Sequence, residues 1–190
     1  TETWNGTNWT ETGDLNVARQ SLAGAGTNAS ALAFGGANAG GNSAATEEFS
    51  TTTAIGTWST GGSLNTARTV LAGAGTQAAA LAFGGSNPPS SPFSALTEAY
   101  NGATWTEVND MQTARGGLAG AGTQTSALTF GGDTPPPTAA LTETWNGTNW
   151  AETGDLNTAR ERISGVGASN TSALAFGGKA APPPASTAVT

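Results

Sequence analysis

Glutamate and arginine recur together along this chain, and they are its most regular charged residues. They form two series of four: Glu2, Glu47, Glu98 and Glu143, and Arg19, Arg68, Arg115 and Arg160. Such a set could form a ring that binds a charged ligand, or it could form salt bridges. Because both types return at framework positions of every repeat, we expect salt bridges between neighbouring repeats. Breaking such a pair costs about 3–5 kcal/mol if it is buried.

Tryptophan recurs in the same way. The four positions are Trp9, Trp58, Trp105 and Trp150. Indole rings could stack on sugars, but a tryptophan at one fixed place in every repeat is more often packing between neighbours. We therefore expect all four to lie in the core.

Several classes of chemistry are excluded because the chain holds no histidine and no cysteine. The usual zinc, copper and iron sites, the Ser-His-Asp triad and cysteine nucleophiles all need those residues. Asp14, Asp110 and Asp155 recur, but Ser63 interrupts the series and each lacks the clustered oxygens of a calcium loop. We expect these aspartates to form turns. The sequence predicts no catalytic residue, no metal and no cofactor.

The small number of charged residues and the negative net charge argue against some classes of binding partner. Only 10% of the residues are charged and the net charge is −7, whereas a nucleic-acid surface needs clustered lysine and arginine. No apolar stretch approaches the roughly 18 residues that span a bilayer as a helix, so we expect neither nucleic-acid binding nor membrane insertion. Because residue 1 is threonine, we also expect a processed or excised piece of a longer protein.

One motif organises the whole chain, an apolar strand that ends in two glycines. It occupies residues 31–36, 80–85, 127–132 and 173–178, so it returns every 46 to 49 residues. A fixed period in this range is typical of repeat architectures in which each repeat is one supersecondary unit. The sequence therefore predicts four copies of one structural unit.

Each copy contains four predicted strands. Turn signals such as Asn5-Gly6 and Asn101-Gly102 favour tight hairpins, in which the second strand carries the recurring tryptophan. A polar connection that ends in Ala-Arg follows, and then a strand of small residues such as Leu22–Thr27 leads into the Gly-Gly strand. Glycine weakens an isolated strand, so its alternation here indicates a close approach of backbones.

The pattern resembles the kelch repeat of β-propellers: a strand ending in Gly-Gly, then an aromatic residue, a tryptophan, a leucine and an arginine. In one copy these are Gly35-Gly36, Phe49, Trp58, Leu64 and Arg68. The resemblance implies an all-β fold, a β-propeller of four-stranded blades, although four blades are fewer than the six or seven usual in the family. In style the repeats are also similar to those of bacteriophage virion and tail-fibre proteins.

The register of the repeats divides one blade between the two ends of the chain. We expect a single domain over residues 1–190, with blades at about 15–63, 64–110 and 111–159 and a last blade built from 160–190 plus 1–14. The terminal strands would then close the ring within one chain by antiparallel pairing. Alternatively each terminus pairs with another copy, which gives an eight-bladed dimer.

The loops after the Gly-Gly strands differ most between copies, and they share one face with the connections before each arginine. Recognition usually lies on loops that a rigid scaffold presents. We expect a non-enzymatic binding or adhesion module on a virion or extracellular surface, which contacts a glycan or a protein. The alternative is a purely structural or decorating subunit of a viral shell or fibre. The candidate binding residues are Asn87, Pro88, Pro89, Phe93, Asp133, Pro135, Pro136, Lys179 and Pro182.

Overall fold

The structure is a computed structural model that describes residues 1–51, 55–88, 92–134 and 138–180. Four candidate binding residues, Pro89, Pro135, Pro136 and Pro182, lie outside the described residues. Every regular element in the described part is a β-strand, which confirms the all-β prediction. The strands are β1 (Glu2–Trp4), β2 (Trp9–Glu11), β3 (Ala23–Gly26), β4 (Ser30–Phe34), β5 (Ala37–Asn38), β6 (Gly41–Asn42), β7 (Thr46–Ser50), β8 (Thr57–Thr60), β9 (Ala72–Thr76), β10 (Ala79–Phe83), β11 (Thr97–Tyr100), β12 (Trp105–Val108), β13 (Ala119–Thr123), β14 (Ser126–Phe130), β15 (Thr142–Trp145), β16 (Trp150–Glu152), β17 (Arg160–Ser169) and β18 (Ser172–Ala180).

Three repeats form four-stranded antiparallel sheets with the same strand order. We name them unit 1 (β3-β4-β7-β8), unit 2 (β9-β10-β11-β12) and unit 3 (β13-β14-β15-β16). In each, the small-residue strand lies at one edge, the Gly-Gly strand and the aromatic strand lie in the middle, and the tryptophan strand lies at the other edge. The predicted count and order of strands are confirmed in these three units.

The glycines of the small-residue strands allow the units to approach one another. Gly73 of unit 2 lies beneath the ring of Phe34 in unit 1, and a side chain at that glycine would collide with the ring. Gly120 stands in the same relation to Phe83 of unit 2. Alternating glycine therefore places one backbone against its neighbour's phenylalanine, as the sequence predicts.

Backbone hydrogen bonds join the units at the start of each small-residue strand. The amide of Val70 donates to Ser21 O (3.0 Å), Gly117 to Val70 O (2.9 Å) and Arg162 to Gly117 O (2.7 Å). All four residues have a positive φ, which is uncommon outside glycine and strained for a β-branched valine. The same local conformation in all four repeats shows that they follow one another by a single recurring interface.

The fourth repeat differs from the expected blade. Its outer half (β1-β2, hereafter the outer hairpin) and its inner half (β17-β18, the inner hairpin) form separate two-stranded sheets. Among the described strands no ladder joins β18 to β1, so the predicted ring closure within one chain is not seen. Each half is instead held by the complete unit next to it.

The connections between the strands contain a small hairpin and two aspartate side chains that bind backbone amides. The loop after the first Gly-Gly strand contains a small hairpin, β5-β6, where the sequence predicts only a loop. Asp110 accepts the amide proton of Thr97 (3.0 Å) and Asp155 that of Thr142 (3.1 Å), so each carboxylate binds the first residue of the aromatic strand of its own unit, 13 residues earlier in the chain. The described residues include no helix long and apolar enough to cross a membrane.

Candidate functional site

Three of the four predicted arginine–glutamate pairs form, and all three are buried. Arg19–Glu47, Arg68–Glu98 and Arg115–Glu143 each have an Nη2 to Oε1 distance of 2.9 Å. Both partners of each pair lie in the same unit, so the expectation of bridges between neighbouring repeats is wrong. The reason is topological: the arginine that precedes a unit's first strand reaches across to that unit's own aromatic strand.

The pair in unit 2 shows how each ion pair is embedded. Arg68 Nη1 donates to the carbonyl oxygens of Gly84 (2.7 Å) and Leu96 (2.8 Å), while Nη2 donates to Glu98. Asn65 then donates to the second carboxylate oxygen of Glu98 through its backbone N (2.7 Å) and its side-chain amide (3.0 Å). The arginine therefore fixes the Gly-Gly strand and the following loop relative to the aromatic strand.

The amide residues that cap the glutamates were not among the sequence predictions. Asn16 and Gln112 occupy the positions equivalent to Asn65, and each donates to the glutamate of its own unit. Their signal in the sequence is an asparagine or glutamine three residues before every recurring arginine. A buried carboxylate needs such donors in addition to its cation.

Burial dominates the electrostatics of these pairs. Loss of solvent lowers the pKa of Arg68 and of Arg115, and the adjacent Glu98 and Glu143 oppose that shift. The Nε atoms of both arginines have no partner among the described residues. With their side chains closed to solvent, these pairs form a framework and expose no charge to a ligand.

The fourth pair, Arg160 and Glu2, is not brought together. Arg160 Nη1 donates to Gly177 O (3.0 Å), as its counterparts do, but Glu2 lies exposed on the outer hairpin. A cavity of about 240 Å³ remains beside Arg160. Its lining consists of Leu156, Asn157, Thr158, Arg160, Ile163, Ala175, Phe176 and Gly177.

The four recurring tryptophans, like the arginine–glutamate pairs, are buried in some repeats and exposed in others. Trp105 and Trp150 are buried, and their indole N–H groups donate to Thr46 (2.9 Å) and Thr97 (3.0 Å) of the preceding unit. Trp58 is half-buried and donates to Thr1 (3.2 Å). Trp9 is 65% exposed, so the core position expected for all four holds fully for two. A tryptophan is buried here only where a complete unit precedes its own.

A second set of amide side chains, also missed from the sequence, fastens each unit to the one before. Gln77 Nε2 donates to Ala31 O (3.1 Å) and Phe49 O (2.7 Å), two carbonyl groups on adjacent strands of unit 1. Gln124 binds unit 2 in the same way, and Asn170 binds Trp145 O of unit 3. These residues recur in the turn that follows each small-residue strand, which is the signal that could have found them.

The two predicted loop sets do meet on one side of the units. The connection before Arg68 hydrogen-bonds to the loop after the first Gly-Gly strand, through Leu64 N to Ala44 O (2.8 Å) and Arg68 N to Ser43 O (3.3 Å). The next two repeats make the equivalent bonds. The loop of one unit is therefore tied to the connection that opens the following unit.

Three candidate binding residues from different repeats come close together on this side. A side chain at Gly116 would touch the ring of half-buried Phe93, and the amide of Asp133 donates to Gly116 O (2.7 Å). The exposed Lys179 forms an ion pair with Glu161 (3.1 Å). Of the remaining described candidates, Asn87 is half-buried and Pro88 is exposed.

Asp133 and Glu161 link these residues electrostatically. Burial and a hydrogen bond shared with Glu161 raise the pKa of Asp133, whereas the bonds to Asp133 and Lys179 lower the pKa of Glu161. We name Phe93, Asp133, Glu161 and Lys179 the loop cluster. It joins repeats two, three and four on the face that carries the variable loops.

A cavity of about 280 Å³ lies where the four repeats converge. Each repeat contributes two consecutive residues from the start of its small-residue strand. These are Ser21, Leu22, Val70, Leu71, Gly117, Leu118, Arg162 and Ile163. Arg162 is the one charged residue in this lining, and the cavity is otherwise mainly apolar.

Within the described ranges, no group of three or more histidine, cysteine, aspartate or glutamate side chains could hold a metal ion. No protein-family model matches the chain, and a search of curated proteins finds no significant relative.

Proposed function

We propose that this chain is a kelch-like β-propeller that acts as a non-enzymatic binding or adhesion module on a virion or extracellular surface. Its contact face carries the loops after the Gly-Gly strands and the connections before the arginines. Its partner is a glycan or a protein surface, and its net charge of −7 disfavours nucleic acid.

The propeller architecture is supported by the repetition of one interface. Three sheets share one strand order, and the same backbone bond joins all four small-residue strands. The two terminal hairpins carry the inner and outer halves of a fourth unit. We propose that a β1-β2 hairpin completes β17-β18 as the fourth blade, either within one chain or between two.

The observation that carries the binding role is the contrast between a constant framework and variable loops. Three buried ion pairs hold three Gly-Gly strands in the same way, while the loops that follow differ in length and residue type. Rigid scaffolds that present different loops are suited to recognition. The loop cluster supplies an aromatic ring, carboxyl groups and an amine within this face.

Glycan-array binding by the full chain tests the proposal. Replacing residues 86–93 by residues 37–42 should abolish or alter binding, because it changes the loop but keeps Ser94 and Ala95, which hydrogen-bond to the next connection. Thr125→Ala, in the exposed turn between β13 and β14 at the opposite end of unit 3, is the control and should bind normally. Binding that survives the loop replacement would place the contact surface elsewhere.

A structural role is the second candidate function. The exposed apolar residues at the two ends of the row of repeats, which we call the array, favour it. Trp4, Trp9, Leu174 and Phe176 present apolar surface of the kind that assemblies bury. A decorating subunit of a shell or fibre would bind no glycan or soluble protein. An image of the parent assembly with the loop face packed against another subunit would favour this role.

A further inference from the structure

The exposed tryptophans of the outer hairpin match an unfilled cavity at the other end of the array. We infer that the inner hairpin binds the outer hairpin of a second copy of this chain, with Trp9 of that copy filling a cavity between unit 3 and β18. This inference rests on the architecture proposed above and adds the partner, the register and the contacts.

The cavity has a volume of about 150 Å³ and is lined by residues whose equivalents surround a tryptophan elsewhere. Between units 1 and 2, Trp105 packs in one apolar cluster with Phe34 and Leu64. Between units 2 and 3, Trp150 packs with Phe83 and Met111. Beyond unit 3 the corresponding lining is Leu128, Phe130, Thr142, Gly154, Leu156, Ala173 and Ala175.

The third apolar cluster lacks the aromatic pair that completes the other two. It contains Phe130, Ile163 and the equivalent alanines, but no tryptophan or tyrosine. The outer hairpin carries such a pair in the required arrangement. Trp4 and Trp9 have ring centroids 5.5 Å apart at 45°, and the buried pair Trp145 and Trp150 has 5.4 Å and 44°. The pair is therefore already arranged as it is in a complete unit.

The charged residues give the same register. In unit 1, Glu47 pairs with Ala33 and Phe49 with Ala31 across the ladder. The equivalent pairing sets Glu2 of the second copy opposite Ala175, beside the 240 Å³ cavity that contains Arg160 and Asn157. Glu2 would then accept hydrogen bonds from Arg160 and Asn157, as Glu98 does from Arg68 and Asn65.

A second copy is favoured because each terminal hairpin already occupies its repeat position. The outer hairpin is held on unit 1 by Asn28 Nδ2 to Trp4 O (3.4 Å) and by Trp58 to Thr1. The inner hairpin is held on unit 3 by Asn170 to Trp145 O (3.2 Å) and by the amide of Arg162. With these contacts in place the two hairpins do not pair with each other, so the edge of β18 that β1 of the same chain leaves unpaired can take the outer hairpin of a second copy.

Association would remove two exposed features together. It would cover the apolar side chains at both ends, including Leu174 at 61% and Phe176 at 48% exposure, and it would pair the edges of β1 and β18 that no described strand pairs. The opposing term is repulsion between two copies of net charge −7. Because salt screens that repulsion, association should strengthen as ionic strength rises.

Sedimentation of the full chain over a range of concentrations tests the inference. We expect the mass to rise from one chain to two or more, with a blue shift of tryptophan emission that Trp9→Phe reduces. Glu2→Arg alone and Arg160→Glu alone should each weaken association by at least about 100-fold, since each leaves like charges facing in a buried site. Glu11→Arg is the control, because the equivalent Glu107 and Glu152 are exposed in complete units.

Mixing the two charge variants separates pairing between chains from pairing within one. An equimolar mixture of Glu2→Arg and Arg160→Glu should associate again, because the two chains then supply one swapped pair and one original pair. A chain that stays monomeric with Trp9 shielded from solvent would overturn the second copy but keep the proposed blade, closed within the chain. A monomer with Trp9 exposed at every concentration would overturn both the second copy and the proposed fourth blade. If the chain associates equally well with and without the charge substitutions, the inferred interface is wrong.

Discussion

Units 1 to 3 and the divided fourth repeat have nearly the same sequence but different environments. Glu98 is buried with Arg68 in unit 2, whereas Glu2 at the equivalent position is exposed. Trp105 is buried between two units, whereas Trp9 lies in solvent. The comparison shows that the motif residues become core only when the neighbouring strands are present, so equal substitutions at the two places should have very different effects.

Trp105→Ala gives the largest expected effect in this comparison. It removes a buried indole, which costs about 3–5 kcal/mol, and a hydrogen bond to Thr46 worth about 1 kcal/mol more. Trp9→Ala should change the free energy of unfolding by less than about 1 kcal/mol. Urea unfolding at concentrations where the chain is monomeric measures both, and equal losses would contradict the exposed position of Trp9.

Glu98→Gln comes next, with an expected loss of about 3 kcal/mol. The substitution keeps the shape of the side chain but leaves the charge of Arg68 buried without its partner. Glu2→Gln makes the same chemical change at an exposed site and should cost under about 0.5 kcal/mol. Thermal unfolding of the two variants decides the point, and a large loss for Glu2→Gln would show that this carboxylate is already paired in the isolated chain.

Tyr100 makes the interface between units 1 and 2 sensitive to alkali. Its hydroxyl donates to Glu48 (2.5 Å), and burial with this bond raises its pKa to about 12. Because the folded pKa lies above the ordinary value near 10, the stabilisation is complete below pH 10 and is lost between pH 10 and 12. The loss is at most about 2–3 kcal/mol.

The titration of Tyr100 can be followed directly, because it is the chain's only tyrosine. Ultraviolet absorbance should show ionisation near pH 12 in the folded chain and near pH 10 after unfolding. Tyr100→Phe should lose this part of the pH dependence. Ionisation near pH 10 in the folded chain would show that the hydroxyl is neither buried nor bonded to Glu48.

Thr46→Val is expected to have the smallest effect, about 1–2 kcal/mol. It leaves the buried indole N–H of Trp105 without an acceptor. Thr142 occupies the equivalent position in unit 3, where no tryptophan of the described residues donates to it. Thr142→Val should therefore be neutral in the monomer, and chemical denaturation of both variants checks the difference.

The sequence by itself determined the repeat and most of the local structure. The period of the Gly-Gly motif and the Asn-Gly turns predicted four strands per repeat, in the order that units 1 to 3 show, because these features depend on neighbours close in the chain. Pairing of three of the four recurring glutamates with an arginine also followed from their matched recurrence.

The tertiary structure decided which residues pair and which copies are complete. Arg68 binds Glu98 of its own unit, not a neighbouring one, because the path of the connection sets the partner and residue types alone do not. The amides of Gln77 and Asn65 act on carbonyl and carboxylate groups about 30 residues away, a distance that no local pattern encodes. Trp9 carries the same motif as Trp105 and is exposed, because burial depends on surrounding strands that only the assembled structure supplies.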